Sequence, residues 1–153
     1  MIRKATIDDA KQLAVLFRQL HEYHIRIAPE SHRMPFEQYF ELEMRYFLED
    51  EELNILVAEE KEELTAYAAF RIFDRDRAER IPARICYIEH FTVAEEHRRS
   101  GIGTELFEAV RSFACEQECD RIQLGAAAVN TGALGFYEKQ GLKPRTIKME
   151  LTL

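Results

Sequence analysis

The sequence predicts an α/β fold in which helices flank one mixed β-sheet, and three observations lead to this prediction. The chain has 153 residues and 46% hydrophobic content, which suits one domain with a sizeable core. Apolar residues recur at helical spacing in some segments and form strand-like runs in others. Residues 83–124 read as strand, helix and strand, a βαβ unit with a parallel pair. We therefore expect residues 1–153 to form a single domain.

The N-terminal part of the chain predicts one strand and two helices. Residues 2–5 form the strand, and Thr6 then caps a helix whose first turn is acidic. The apolar stripe of this helix consists of Leu13, Leu16, Phe17, Leu20, His24 and Ile27. Pro29 ends the helix. A second helical stripe consists of Phe36, Tyr39, Phe40, Met44 and Phe47, with Pro35 in the first turn.

The remaining elements follow from strand-like runs separated by polar turns. Residues 54–58 and 64–73 predict an antiparallel hairpin closed by a charged turn. The polar residues 74–82 predict an exposed loop. The later elements are a strand at 83–93, a helix at 104–117, a strand at 121–124, a short helix at 133–140 and a last strand at 146–153.

Charge and hydropathy exclude several classes of partner. The net charge of −7 argues against nucleic acid as a partner, because binding nucleic acid normally needs a basic surface. The same charge is compatible with a cationic partner such as an amine. We expect no membrane span, because no apolar run approaches the roughly 18 residues that a span requires. The first residues enter a strand rather than a signal peptide, so a cytoplasmic location is the default expectation.

The three cysteines predict neither a disulfide framework nor a metal site. Cys86, Cys115 and Cys119 lack CxxC spacing and suit a reducing compartment. Cys115 and Cys119 are separated by one helical turn, but no nearby histidine supplies further ligands. We interpret them as helix-packing residues and expect no metal.

The segment between the 83–93 strand and the following helix has the features of a phosphate-binding loop. Gly101 and Gly103 lack Cβ atoms, so the backbone there can approach a bulky anion closely. Arg98 and Arg99 add positive charge. The free N–H groups at the start of the helix near Thr104 favour a pyrophosphate. The loop therefore predicts a nucleotide-type ligand.

Two motifs in this chain resemble signatures of the GNAT superfamily of N-acetyltransferases. Arg98, Gly101 and Gly103 match its acyl-CoA motif, Arg/Gln-x-x-Gly-x-Gly/Ala. Residues 130–142 match Asn-x-x-Ala-x-x-x-Tyr-x-x-x-Gly-Phe, except that Leu142 replaces the phenylalanine. The resemblance implies the GNAT fold, a splayed central mixed sheet flanked by helices, across essentially the whole chain.

The same resemblance implies an N-acetyltransferase that uses acetyl-CoA as acyl donor. The acetyl group would pass to a primary amine, interpreted as that of a small molecule, by direct attack in a ternary complex. A homodimer is possible by analogy. The implied cofactor-binding residues are Phe91, Thr92, Val93, Arg98, Arg99, Ser100, Gly101, Ile102, Gly103, Thr104 and Asn130.

Two residues are implied as catalytic. An amine with a pKa near ~10 must lose a proton before attack, and Glu89 is the expected base or relay; binding the ammonium as a counter-ion is the alternative. Tyr137 occupies the family position whose phenol protonates the departing thiolate, with core packing as the alternative. For Asn130, a helix N-cap is the alternative to cofactor binding.

Strand parity makes a further prediction about the residues around Glu89. In a regular strand Tyr87 and Phe91 share the face of Glu89, while His90 points to the other face. We interpret His90 and His97 as packing or surface residues rather than bases.

The identity of the acceptor stays open at the level of sequence. The fold would shape the acceptor pocket from the first two helices and the 74–82 loop, although these residues also suit a solvated turn and core aromatics. Two other functions remain as alternatives: acetylation of protein N-termini or lysines, and a non-catalytic sensor that binds acyl-CoA.

Overall fold

The computed structural model describes residues 1–153 and contains one five-stranded sheet with helices on both faces. The strands are β1 (Ile2–Lys4), β2 (Leu53–Glu60), β3 (Glu63–Arg75), β4 (Ala83–Val93) and β5 (Arg121–Leu124). The helices are α1 (Ala10–Ile27), α2 (Tyr39–Glu49), α3 (Ile102–Glu116) and α4 (Thr131–Lys139). No helix is both long enough and apolar enough to cross a membrane.

The sheet has the order β1-β2-β3-β4-β5 and is mixed, as the sequence predicts. β1 to β4 pair antiparallel in succession, and β5 pairs parallel to β4 after the α3 crossover. The predicted hairpin is confirmed, and its turn contains Lys61 and Glu62 at φ angles of 49° and 67°. The predicted βαβ unit is likewise present.

The core consists of two apolar clusters, one on each face of the sheet. β3 supplies both clusters, because successive strand side chains point to opposite faces. On one face Tyr67 and Ala69 pack with residues of α1 and α2, including Leu13 and Met44. On the other face α3 covers the sheet, and the buried residues there include Ala68, Phe70, Leu106, Phe107 and Val110. The stripe of α1 therefore faces the sheet through Leu13, Leu16 and Phe17. The second stripe is confirmed only from Tyr39 onward, because α2 begins there and the preceding Phe36 is 62% exposed.

A β-bulge interrupts the pairing of β3 with β4 at Glu89. Ala69 pairs with His90 and Phe70 with Ile88, which leaves Glu89 without a partner in the register. The predicted opposition of His90 and Phe91 is confirmed, because His90 packs on Phe17 of α1 and Phe91 on Phe107 of α3. The predicted common face of Tyr87 and Phe91 is wrong, because Phe91 lies in the cluster on the α3 side together with Cys86 and Ile88, which a regular strand would place on the opposite face. The bulge rotates the end of β4 relative to its beginning.

β4 and β5 are paired along only part of their length. Their last register pair is Ile88 with Leu124, whereas β4 continues to Val93. The backbone of residues 89–93 therefore has no strand neighbour on the β5 side. This is the separation of parallel strands that the sequence predicts.

The strand predicted at 146–153 is absent. Residues 142–153 have no regular secondary structure, and residues 143–153 are exposed. The sequence pattern favours a strand there, but a strand forms only where its N–H and C=O groups find a neighbour, and the sheet of this chain ends at β5.

Candidate active site

One cleft of about 860 Å³ opens where β4 ends and α3 and α4 begin. Its walls come from α1, the end of β4, the loop before α3, and α4. The lining residues are Leu20, Tyr23, Phe91, Thr92, Val93, Arg98, Arg99, Gly101, Gly103, Thr104, Asn130, Thr131, Gly132, Ala133, Gly135, Phe136, Tyr137, Lys139 and Gln140.

The loop before α3 contains two residues in the left-handed region of backbone conformation. Arg99 and Gly101 both have left-handed backbone angles, with φ of 64° and 95°. Gly101 is the N-cap of α3, which begins at Ile102 rather than at the predicted Thr104. Left-handed residues beside a helix N-terminus are typical of an anion-binding nest. The Ser100 hydroxyl donates to the His97 carbonyl at 2.5 Å and braces the loop.

Gly103 has a different role from Gly101. A Cβ atom at Gly103 would lie 3.4 Å from Val93 Cγ2 and 3.5 Å from the Phe136 ring. These are ordinary contact distances, so an alanine would fit there, whereas a larger side chain would meet β4 and α4. Gly103 therefore lets α3 approach both elements, while Gly101 is required by its backbone angle.

Arg98 is held at the edge of the cleft by two contacts. Its Nε atom donates to the Val93 carbonyl at 3.3 Å, and its guanidinium lies 5.4 Å from the centre of the Tyr23 ring. The Arg26 guanidinium lies 5.5 Å from the same ring centre. Tyr23 on α1 thus holds two positive groups beside the loop.

Asn130 joins α4 to α1. Its side-chain oxygen accepts a hydrogen bond from the Ala133 N–H at 3.2 Å, which caps α4, and another from the Tyr23 hydroxyl at 3.1 Å. The residue is 8% exposed and lines the cleft. The N-cap alternative is therefore present in the structure, and any contact with a cofactor would use the remaining amide group.

The unpaired end of β4 forms one wall of the cleft. Phe91, Thr92 and Val93 all line it. The Phe91 ring lies 5.5 Å from Phe136 and 6.1 Å from Tyr137, so an aromatic cluster connects this strand to α4. An extended ligand with amide groups fits such an edge, because the free backbone groups of β4 offer the hydrogen bonds of an added strand.

Tyr137 stands on α4, partly buried against this aromatic cluster, and lines the cleft. Burial raises the pKa of its phenol to about 12. The hydroxyl therefore stays protonated at neutral pH and is a hydrogen-bond donor toward any anion that forms in the cleft.

Glu89 lies outside the set of residues that line the cleft. Its Oε1 atom accepts a hydrogen bond from Arg71 Nε at 2.5 Å, and Arg71 also donates to Asp50 Oδ2 at 2.8 Å. Arg71 thus lies between two carboxylates, that of Asp50 at the end of α2 and that of Glu89 at the bulge. The structure joins Glu89 to this network rather than to Tyr137.

His90 is half-buried between α1, α2 and the sheet. Its ring packs against Phe17 and Phe47, and Nδ1 lies 3.0 Å from the Tyr67 hydroxyl. Burial, with a smaller contribution from the charge of His24, lowers the pKa of His90 to about 4. A neutral, packed imidazole is consistent with the interpretation of His90 as a packing residue.

Most of the predicted site residues meet in the cleft, and three do not line it. Ile102, the first residue of α3, points into the core, Ser100 braces the loop, and Glu89 belongs to the Arg71 network. The sequence reading missed the surface of α4, where Thr131, Gly132, Gly135, Phe136 and Lys139 line the cleft. Their helical spacing after Asn130 was the available signal.

The residues of the cleft fit a nucleotide-type acyl donor. The nest carries positive charge from Arg98 and Arg99, Gly132 and Gly135 leave the adjacent surface of α4 without side chains, and the β4 edge continues toward Tyr137. The protein contains no group of three or more His, Cys, Asp or Glu residues that could hold a metal ion.

Comparison with known proteins gives a family and a fold. The model of the Acetyltransferase (GNAT) family matches residues 17–142. The crystal structure of a tetramutant of the BH1408 protein from Bacillus halodurans superposes with a TM-score of 0.94 at 28% identity, covering 100% of this chain and 99% of that chain. No curated protein is significantly similar to the chain.

Two more distant structures share the fold. A ribosomal-protein-alanine N-acetyltransferase from Brucella melitensis has a TM-score of 0.76 at 18% identity, covering 100% of this chain and 99% of that one. AAC(6')-Iy, in complex with a bisubstrate analogue built on CoA, has a TM-score of 0.75 at 15% identity, covering 100% and 98%. At these identities the likeness concerns the fold alone.

Proposed function

Because the chain belongs to the GNAT acetyltransferase family, we propose that it transfers the acetyl group of acetyl-CoA to a primary amine of a small molecule. The amine attacks directly while both substrates are bound. The observation that carries this proposal is the single cleft that contains the anion nest, the free edge of β4 and the buried phenol of Tyr137.

The nest binds the pyrophosphate. The left-handed residues Arg99 and Gly101 are typical of a loop that offers N–H groups to an anion, and the N-terminus of α3 adds the positive end of its dipole. Arg98, fixed by the Val93 carbonyl and the Tyr23 ring, adds charge from the opposite side. Ser100, Ile102 and Thr104 complete the loop, chiefly through their backbone.

The free edge of β4 orients the donor. Backbone groups of residues 91–93 hydrogen-bond the pantetheine amides as a neighbouring strand would, because β5 no longer pairs with β4 beyond Ile88. This fixes the direction of the arm and brings the thioester toward Tyr137. Acetyl-CoA itself supplies an acyl group activated as a thioester.

Tyr137 protonates the leaving thiolate. Its pKa, raised to about 12 by burial, keeps the proton on the phenol until charge develops on the sulfur. A free thiol has a pKa of about 8.5, so complete proton transfer to the thiolate from a phenol of pKa about 12 is uphill, and the hydroxyl stabilises the developing thiolate first of all by donating a hydrogen bond to it.

Glu89 acts on the amine. Its exposed carboxylate at the bulge of β4, which shares Arg71 with Asp50, has two candidate roles: accepting the amine proton through a water relay, or holding the ammonium as a counter-ion. The two carboxylates balanced by a single guanidinium at the bulge, together with the net charge of −7, favour a cationic acceptor.

The deciding experiment measures acetyl-CoA-dependent release of free thiol with polyamines, aminoglycosides, amino acids, amino sugars and lysine or N-terminal peptides. Turnover with one class of small amine supports the proposal. Turnover with peptides alone would show that the acceptor is a protein rather than a small molecule. Calorimetric binding of acetyl-CoA without turnover on any acceptor would identify a sensor instead.

A further inference from the structure

Tyr23 on α1 contacts two separate parts of the cleft. Its ring centre lies 5.4 Å from the guanidinium of Arg98 in the loop before α3, and its hydroxyl lies 3.1 Å from Asn130 Oδ1 at the start of α4. Leu20 is the only other residue of α1 that lines the cleft, and its side chain has no polar group. Tyr23 is therefore the polar link from α1 to both elements.

The hydroxyl of Tyr23 fixes the direction of the Asn130 amide group. The Ala133 N–H is a donor, so the Asn130 atom that it meets at 3.2 Å is the carbonyl oxygen. The Tyr23 hydroxyl donates to the same oxygen. The amide nitrogen of Asn130 has no partner within the protein and is not fully buried, so it is free to donate to a ligand in the cleft.

The ring of Tyr23 restrains the side chain of Arg98. An exposed arginine samples many rotamers, and holding it still against a ligand costs side-chain entropy. Arg98 is exposed, but the Val93 carbonyl accepts a hydrogen bond from its Nε atom at 3.3 Å, and the ring of Tyr23 faces its guanidinium. Because these contacts already limit Arg98 in the free protein, less entropy is lost when the guanidinium meets an anion.

We propose that Tyr23 is a positioning residue for the acyl donor. Its ring holds Arg98 toward the pyrophosphate, and its hydroxyl turns the amide nitrogen of Asn130 toward the donor. This inference rests on the proposed function, because it takes acetyl-CoA as the ligand of the cleft. Contacts that are the same in the bound substrate and in the transition state change affinity without changing the chemical step. Loss of Tyr23 should therefore raise the Kd and KM for acetyl-CoA and leave kcat unchanged.

Two substitutions separate the hydroxyl from the ring. Tyr23→Phe removes the hydroxyl and keeps the ring, so the calorimetric Kd for acetyl-CoA should rise roughly threefold, as loss of one hydrogen bond predicts. Tyr23→Leu also removes the cation–π contact, so its Kd should rise about tenfold. The kcat at saturating acetyl-CoA should stay at the wild-type value in both. Tyr46→Leu, at a residue 67% exposed on α2, is the control and should change neither quantity.

A double-variant cycle distinguishes positioning from a general loosening of α1. Arg98→Met removes the guanidinium on which the ring acts. The step from Tyr23→Phe to Tyr23→Leu should raise the Kd roughly threefold when Arg98 is present and leave it unchanged in the Arg98→Met background. An equal rise in both backgrounds would show that the ring supports α1 rather than Arg98, and would overturn the proposal.

The wild-type protein separates failure of this inference from failure of the proposed function. If the wild type does not bind acetyl-CoA, the proposed function fails and the role of Tyr23 fails with it. If the wild type binds and uses acetyl-CoA while both Tyr23 variants keep the wild-type Kd, the proposed function stands and the positioning role is wrong. A fall in kcat with an unchanged Kd would also overturn the inference, because it would place Tyr23 in the chemical step.

Discussion

Arg71 and Glu89 form a 2.5 Å contact between β3 and β4 at the residue where β4 bulges. The bulge leaves Glu89 outside the strand register, and Arg71 ties its carboxylate to Asp50 at the end of α2. Arg71 is the partner of Tyr87 in the register. The contact therefore connects the bulge of β4 to the end of α2.

Replacing Glu89 by glutamine tests its role in amine deprotonation. If Glu89 is a base or relay, Glu89→Gln should lower kcat by roughly 10²-fold at neutral pH, with recovery at high pH where the amine is already free. The measurement is the pH profile of kcat with the best acceptor. An equal loss at every pH would assign the counter-ion role.

Asp50→Asn is the control for Glu89→Gln. The variant removes the second carboxylate that Arg71 binds and leaves Glu89 intact. Asp50 is closely tied to Arg71, because the hydrogen bond from Arg71 is the chief cause of the lowered pKa of Asp50. Its pH profile should keep the wild-type shape. If Asp50→Asn reproduces the profile of Glu89→Gln, the network as a whole, and not the Glu89 carboxylate, carries the effect.

Removing the Tyr137 hydroxyl should slow chemistry and leave binding intact. Tyr137→Phe keeps the ring that packs on Phe91 and Phe136, so the calorimetric affinity for acetyl-CoA should not change. The turnover number should fall by roughly 10²-fold through loss of the general acid. Tyr46→Phe, at a residue 67% exposed, is the control. A wild-type rate for Tyr137→Phe would remove the phenol from the mechanism.

Gly101→Ala should weaken binding of acetyl-CoA. The residue has φ of 95°, a left-handed conformation that costs an alanine about 1 kcal/mol or more, although the space around it is open. Relief of that strain would reorient the nest. We expect a several-fold rise in the calorimetric dissociation constant. Gly125→Ala, whose Cβ would meet only the Tyr87 hydroxyl at 3.5 Å, should leave the constant unchanged; equal effects of both would argue against the nest.

His90 should make the protein less stable in mild acid. Its pKa falls from 6.5 to about 4 on folding, because burial disfavours the imidazolium. Between pH 6.5 and about 4 the unfolded chain binds a proton at His90 that the folded chain does not. The free energy of unfolding therefore decreases as the pH is lowered through this range, and stops decreasing once the folded imidazole is also protonated.

Between pH 6.5 and 4.5 we expect the free energy of unfolding to fall by about 2 kcal/mol less in His90→Gln than in wild type, since each pKa unit corresponds to roughly 1.4 kcal/mol. Urea unfolding at both pH values measures it. Burial also lowers the pKa of His24, so His24 makes the protein less stable in acid as well. This contribution is present in both proteins and cancels when the variant is compared with wild type. The control His97→Gln, on the loop, should show the same fall in unfolding free energy as wild type. The same pH dependence in wild type, His90→Gln and His97→Gln would contradict the prediction.

The motifs that form the nest and α4 could be found in the sequence because their chemistry is local. Gly101 is needed for one backbone angle, and Asn130 caps the helix that it begins. Tyr23 could not be assigned in this way. It reaches Asn130 across 107 positions of the chain, and only the packing of α1 against the cleft brings the two together.

The sequence could not establish the bulge at Glu89 for a related reason. Alternation along β4 predicts one face for Glu89 and Phe91, and nothing in the residue types there marks an extra residue. The bulge exists because of how β4 pairs with β3, and it sends Phe91 toward α3 and α4. Strand register is a property of two strands, so one strand's pattern cannot determine it.

The sequence by itself determined the mixed α/β class, the order of elements through α4, and the glycine-containing loop before α3, because periodicity, glycine positions and helix caps act over a few neighbouring residues. Only the tertiary structure decided that Glu89 joins Arg71, that Tyr23 completes the cleft, and that residues 146–153 find no strand within their own chain. Each of these depends on contacts between distant segments, whose geometry is set when the sheet and its helices pack together.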